Sequence, residues 1–271
     1  MANIQNIGLM MTRNEDDVIE EVMETNKKYF DKILVLDGSD DRTEEIIRSY
    51  DCVKYFLKDR EIIDQLPDRK FNTYADQFLL EKAQQMYPIE GWFTLLHGDE
   101  IWHDDPNWVA EEAEKARAEK VNWYVMNFFL HTSEKGQDLS AIKSVQERIL
   151  WYCPGFLEIR SFKNKKGIRY QFDKKWNVLP MGIGWKIYKY FPVYKHYPLR
   201  SVEQIMKKKK VHSENDYVTY QRIISADDCF ADVLPGYKVA RKYDGSFHEF
   251  EIKNQGSLLR RWLRGRQYIT W

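Results

Sequence analysis

Four short apolar runs, each ending in a polar turn, restrict this chain more than any other feature. Ile4 to Met11, Ile33-Leu34-Val35-Leu36, Val53 to Leu57 and Trp92-Phe93-Thr94-Leu95-Leu96 have the length and composition of buried strands. Helical patterns follow the first three. Ile19, Val22 and Met23 supply the apolar face of one helix, and Ile46 and Ile47 that of the next. Phe71, Tyr74, Phe78 and Leu79 line a third, from Phe71 to Tyr87, which Pro88 closes. Strands alternating with helices imply a mostly parallel, right-handed α/β sheet. Open sheets of that kind bind ligands beyond the carboxyl ends of their strands. The residues just after each run are therefore the first place to look for chemistry.

Two of these turns deliver acids. The run from Trp92 breaks at Gly98 and releases Asp99 and Glu100. A carboxylate beside a core needs a partner, since an unpaired buried charge costs several kcal/mol or changes its protonation. A divalent cation is one such partner. Asp99 is accordingly a candidate metal ligand; the plainer reading is a solvated turn. The second run ends in Asp37-Gly38-Ser39-Asp40-Asp41-Arg42-Thr43. Asp37 is placed to accept from a base imino group or a ribose hydroxyl, or to form an Asx turn with a cap at Ser39 or Asp41. Thr12 and Glu15 have capping-box spacing. Their turn, Thr12-Arg13-Asn14-Glu15, either caps a helix or also floors an anion-favouring ligand site. The charged stretch from Lys58 to Lys70 offers Arg60, Arg69 and Lys70 to phosphates, or to water.

Asp105-Pro106 opens a further helix, with proline in its first turn and a surface-type composition to about Lys120. Val121 to Leu130 reads as a strand, as does Gly155 to Phe162, with a hairpin around Asn164 to Gly167. Aromatic and basic residues interleave from Trp151 to Trp176, which suits sugar or nucleotide faces as well as an ordinary core beside a wet groove. Val193 to Pro198 is a short strand carrying His196, and Ser201 with Gln204 caps a helix ending in Lys207 to Lys210. The segment Ser257 to Trp271 is amphipathic and basic. It packs on its own domain or touches an anionic membrane surface.

Composition narrows the class. Lys+Arg and Asp+Glu are 42 each, a balance that argues against a dedicated nucleic-acid binder. With 43% hydrophobic residues over 271 positions, a sizeable core is expected. Cys52, Cys153 and Cys229 form no disulfide or zinc pattern, which points to a reducing compartment. No signal peptide and no membrane span is evident, so a cytoplasmic location is expected, with at most peripheral contact to the membrane face.

Three signals occur in order: Thr12-Arg13-Asn14-Glu15 after the first strand, LDGSDDRT from Leu36 to Thr43, and HGDEIW from His97 to Trp102. Together they resemble family 2 of the GT-A glycosyltransferases, over roughly Ile4 to Ile101 and more loosely Arg160 to Gln204. The resemblance implies a GT-A, Rossmann-like fold. Residues 1–131 would be its nucleotide-sugar-binding half, 132–212 its acceptor half and 213–271 a C-terminal extension. It also implies that Thr12, Asn14, Glu15 and Asp37 hold the nucleoside of a nucleotide-sugar donor; Arg69, from the charged stretch, is the added candidate for its phosphates. The family's Asp-x-Asp motif is His97-Gly98-Asp99 here, which leaves metal binding to Asp99 and places His97 beside the donor. Where relatives carry Arg-Asn on the preceding helix, Asp76-Gln77 stand. His196 resembles a late histidine that returns to the metal, Mn²⁺ or Mg²⁺. The resemblance further implies transfer with inversion onto a glycan or lipid-linked acceptor, as in surface polysaccharide or lipopolysaccharide synthesis. Asp173 is the first candidate for the catalytic base and Glu158 the second. Two alternatives compete with this reading: a nucleotidyltransferase, which would normally carry a Gly-rich basic loop after its first strand, and a module that binds sugar without turnover. The glycosyltransferase reading requires Asp37 and Asp99 to meet at one pocket.

Overall fold

The computed structural model describes residues 5–59, 71–134, 137–139, 141–170, 180–188, 191–201, 203–204 and 240–247. Arg69, Asp173, the lysine run and the basic C-terminal segment lie outside the described residues.

The four apolar runs form strands β1 (Asn6–Thr12), β2 (Ile33–Asp37), β3 (Val53–Lys58) and β4 (Trp92–His97). They lie in the order β3-β2-β1-β4 and all pair in parallel. Helices α1 (Ile19–Asn26), α2 (Thr43–Arg48) and α3 (Phe71–Met86) connect them. The short strand β5 (Glu100–Trp102) and helix α4 (Pro106–Lys115) follow β4. Asp105 caps α4 by accepting from the backbone of Asn107 and Trp108. β6 (Lys120–Phe129), β7 (Trp151–Lys163), β8 (Ile187–Tyr188), β9 (Val193–Leu199) and β10 (Arg241–Lys242) complete the sheet. Beyond β4 the sheet turns mixed: β7 runs antiparallel to β4, and β5 antiparallel to β9. The expected mostly parallel sheet thus holds for the first four strands.

Side-chain parity along these strands decides what meets what. In β1 the odd positions Ile7, Leu9 and Met11 join Leu34, Leu36, Phe93, Leu95 and Phe162 in one buried layer. The stripe Ala75, Leu79, Leu80 and Ala83 of α3 packs on this face. The even positions of β1 face the other way, where Gly8 leaves room for Leu96, Ile33 and Phe30. An added Cβ at Gly8 would lie 2.7 Å from the Leu96 Cδ1 methyl, so a larger residue there would push that side chain aside.

Three local expectations need correction. Thr12 and Glu15 form no capping box. α1 starts only at Ile19 with no side-chain cap, because Thr12 turns its hydroxyl to Asp37. Tyr74 lies on the outer side of α3 and is 41% exposed, since the inward stripe runs through Ala75 and Leu79. α4 buries Pro106, Val109, Ala110 and Ala113, so it is half core rather than a surface helix, and it stops at Lys115.

The chain divides into two compact units. One comprises Met1–Val125 and Phe156–His196, and the other Met126–Gly155 and Tyr197–Trp271. The second contains an aromatic cluster in which Phe128 stacks on Tyr152 and Tyr197, with Tyr243 and Phe247 edge-on to Phe128. Every site residue considered next belongs to the first unit.

Candidate nucleotide-binding edge

Parallel register brings the ends of β2, β1 and β4 level, with Thr12 opposite Asp37 and Met11 opposite His97. Thr12 Oγ1 donates to Asp37 Oδ1 at 2.7 Å, and the hydroxyl and backbone N–H of Ser39 donate to the same oxygen. Asp37 is fully buried, and its other oxygen, Oδ2, has no hydrogen-bond partner among the described residues. Burial pushes its carboxyl above the ordinary aspartate value, against the opposing pull of Ser39 and Thr12. Asp37 is therefore a half-satisfied acceptor at a strand's carboxyl end.

The turn after β1 is stitched to the turn after β2. The Asn14 N–H donates to Ser39 Oγ at 2.8 Å, and the Asp40 N–H donates to Asn14 Oδ1 at 2.8 Å. The Glu15 N–H donates to Thr43 Oγ1 at 2.9 Å. Asn14 holds φ at +56°, a left-handed conformation that asparagine tolerates better than most residues. The turn after β4 closes on the same group. Gly98 donates to Met11 O, and a Cβ at Gly98 would lie 2.9 Å from both Thr12 Cγ2 and Glu15 Cγ. Thr12, Asn14, Glu15, Asp37 and the loop bearing Asp99 thus share one edge, with β1 between the two acids.

Asp99 is buried, and His196 Nε2 lies 3.6 Å from its Oδ2. These residues are 97 positions apart in sequence. The pairing of β5 with β9 unites them, because it sets Glu100 opposite His196. Among the described residues, no group of three or more His, Cys, Asp or Glu side chains is disposed to hold a metal ion. An imidazole and a carboxylate are donor types that Mn²⁺ accepts; Asp99 and His196 supply one of each, which is not by itself a complete ligand set.

Parity puts His97 on the opposite face from Thr12, in the layer of Phe93 and Leu95 under α3. Phe93 pairs with Phe162 of β7, so Arg160 and Glu158, at even steps before Phe162, share this face. There they make a closed network. Arg160 Nη2 donates to Glu100 Oε1 at 2.6 Å, and Arg160 Nε contacts Glu158 Oε2 at 2.6 Å. His97 Nδ1 lies 3.0 Å from Glu100 Oε1, and the His97 N–H donates to Glu100 Oε2. Tyr194 Oη donates to Glu158 Oε2 at 3.1 Å. Burial favours a neutral Glu100, but Arg160 and His97 outweigh it and hold the carboxyl below its ordinary value. Burial likewise opposes the His97 imidazolium, yet Glu100 outweighs it and the imidazole titrates above its usual range. Glu100 is thereby committed internally and is not free to bind a cation. Glu158, the second candidate base, has its Oε2 engaged by Arg160 and Tyr194.

The sequence expectation did not include Asp76 among the site residues. It is 5% exposed, and its Oδ1 has no hydrogen-bond partner among the described residues. Burial pushes its carboxyl up to about 7, opposed chiefly by the positive charge of His97 and Arg160. α3 returns from the ligand edge of the sheet to the start of β4, so its first turns lie at that edge. Asp76 sits there on the inward stripe, three and four residues before Leu79 and Leu80. That is a sequence signal: a lone acid interrupting an apolar helical face.

No family model and no curated protein matches the chain. Among solved structures it is similar to a Bacillus anthracis protein described as a glucose-1-phosphate thymidylyltransferase, in complex with sucrose. The identity is 10% and the TM-score 0.30, over 45% of this chain and 55% of that one. The chain thus spans little more than half the length of that structure, and a likeness of this size assigns no activity here. The class comes from the strands themselves. A mixed α/β sheet with the parallel order β3-β2-β1-β4 is compatible with a Rossmann-like nucleotide-binding fold. No described helix is long and apolar enough to cross a membrane.

Proposed function

We propose that the chain is a GT-A-type glycosyltransferase that uses a nucleoside-diphosphate sugar. The observation that carries this reading is the shared strand edge, where Asp37 keeps an unfilled acceptor oxygen and Asp99 stands 3.6 Å from His196. Asp37 Oδ2 accepts from the nucleoside, its other oxygen being held by Thr12 and Ser39. The turn at Asn14 and Glu15 fixes the floor of the nucleoside site. Asp99 and His196 are the residues that would hold Mn²⁺ or Mg²⁺, which when bound supplies Lewis-acid stabilisation of the diphosphate.

In the transfer, the bond from the sugar's anomeric carbon to the diphosphate breaks. A bond to the acceptor oxygen forms, and the acceptor proton passes to a carboxylate base within hydrogen-bond reach. Asp173 and Glu158 remain the first variants to make for that base. Arg160 and His97 stay bound to Glu100 in the layer under α3, on the other face of the sheet from Thr12, and are given no part in binding the diphosphate. The acceptor, a glycan or a lipid-linked sugar, belongs to the same proposal, as does peripheral membrane contact.

Thermal shift with UDP, GDP, CDP and dTDP, with and without Mn²⁺, tests the reading. Stabilisation by one of the four that depends on Mn²⁺ and disappears in Asp99→Ala is the expected outcome. No response to any nucleotide would sink it. Release of nucleoside diphosphate, rather than pyrophosphate, from the accepted donor separates glycosyl transfer from nucleotidyl transfer.

A further inference from the structure

Two buried polar atoms beside the network have nothing in the described chain to bind. One is Asp76 Oδ1, and the other is the phenolic oxygen of Tyr170, whose residue is 2% exposed. Buried groups of this kind are nearly always paired with protein, water or ligand. Both residues lie by α3. The Tyr170 N–H donates to Gln77 Oε1 at 2.6 Å, which fastens the tyrosine to the helix at the residue after Asp76. Tyr170 also belongs to the same buried layer as Ala75 and Leu79. Burial pushes the phenol well above its ordinary value and the Asp76 charge adds to this, so the hydroxyl stays protonated.

The chemistry of the pair selects a ligand group. A phosphate would meet the Asp76 carboxyl, and among the described residues the cations beside it, Arg160 and His97, are already engaged by Glu100 and Glu158. A base N–H would satisfy Asp76 and leave the phenol unmet. An alcohol satisfies both, donating to the carboxyl oxygen and accepting from the phenol. We propose that Asp76 Oδ1 and Tyr170 Oη form a hydroxyl-recognition pair that reads the sugar of the nucleotide-sugar donor. The proposal rests on the donor reading given above and adds to it a specificity element: the pair favours a sugar with a free hydroxyl at the position that reaches them. Both are binding residues here and neither is assigned to the chemical step.

Isothermal titration tests the pair. The nucleoside diphosphate and the matching nucleotide sugar are titrated, with Mn²⁺, into wild type, Asp76→Asn and Tyr170→Phe, each first checked for cooperative unfolding. The sugar should add affinity in wild type. Each variant should lose about tenfold of that gain, the worth of one hydrogen bond, with diphosphate affinity unchanged. Variants that bind the nucleotide sugar as well as wild type does would overturn the pair and assign the two atoms to a buried water. If wild type binds no nucleotide, it is the donor reading that fails. Saturation-transfer NMR with free monosaccharides then decides on the pair separately. Transfer lost in both variants supports it; equal transfer, or none in wild type, overturns it.

Discussion

Asp76→Asn should make the protein's stability less sensitive to pH, and the size of the effect follows from burial. The folded carboxyl titrates at about 7 against an ordinary 3.8. At about 1.4 kcal/mol per pKa unit, holding it ionised in the folded state costs about 4 kcal/mol. A raised carboxyl pKa means that the folded state binds the proton more tightly than the unfolded state. Its stabilising contribution is therefore complete below the unfolded value and is lost as pH rises through about 7. Near pH 5 the folded group is still protonated and the cost is about 1.6 kcal/mol; by about pH 8 it is complete. The wild type thus loses about 3 kcal/mol from this one group between those conditions. Asparagine has no proton to lose. Its amide leaves a buried donor unmet, at roughly 1–3 kcal/mol, but that offset does not vary with pH. Urea denaturation of both proteins from about pH 5 to about pH 8 should show the variant gaining on wild type by about 3 kcal/mol. The difference between the curves is the readout, since it cancels the other titrating groups to first order. A constant difference across the range would refute the claim that Asp76 is buried without a compensating partner.

Arg160→Met should destabilise by about 3–5 kcal/mol, because it strands the buried Glu100 without its counter-charge. Adding Glu100→Gln should recover much of that loss in the same denaturation experiment. In wild type the depressed Glu100 pKa contributes stability that is lost as pH falls through its folded value, the opposite sense to Asp76, and the double variant should lack this acid-side loss. Gly98→Ala should cost about 1–3 kcal/mol, since the new methyl group meets Thr12 and Glu15 at 2.9 Å. It should also weaken Mn²⁺-dependent nucleotide stabilisation by displacing the loop that carries Asp99. His196→Ala should reduce the Mn²⁺ dependence of nucleotide stabilisation while leaving the metal-free response intact, read by thermal shift.

How much of this edge can be read from the chain alone depends on whether a contact is local. The four parallel strands announce themselves because each is a continuous apolar run, and their turns fall where β1 and β2 end in register. Asp37 and Asp99 stand out for the same reason: both follow such a run directly. The nearness of Asp99 to His196 is not local. It requires β5 to pair with β9 across an interval holding two long strands, and no periodicity encodes that register. The Thr12–Glu15 spacing shows the converse failure. Its local pattern is a capping box, but Asp37 is a stronger claimant on the Thr12 hydroxyl, so the tertiary bond wins.

The position of His97 shows why residue type must be read together with parity. A histidine where the resemblance expects an acid suggests a weakened metal site if the strand end is taken as one undifferentiated surface. The strand has two faces, however. His97 follows Phe93 and Leu95 into the layer under α3, while Asp99 lies beyond the turn beside His196. The imidazole at 97 therefore answers to Glu100, Arg160 and Asp76 instead. Those neighbours explain it electrostatically, because Glu100 and Asp76 are buried acids and Arg160 already serves Glu100 and Glu158. An acid at 97 would add a further negative charge to a layer that already holds Glu100, Glu158 and Asp76, whereas an imidazole that Glu100 helps to protonate reduces the imbalance. Substitution of His97 by Asp should on these grounds destabilise the fold as pH rises, rather than restore a stronger metal site.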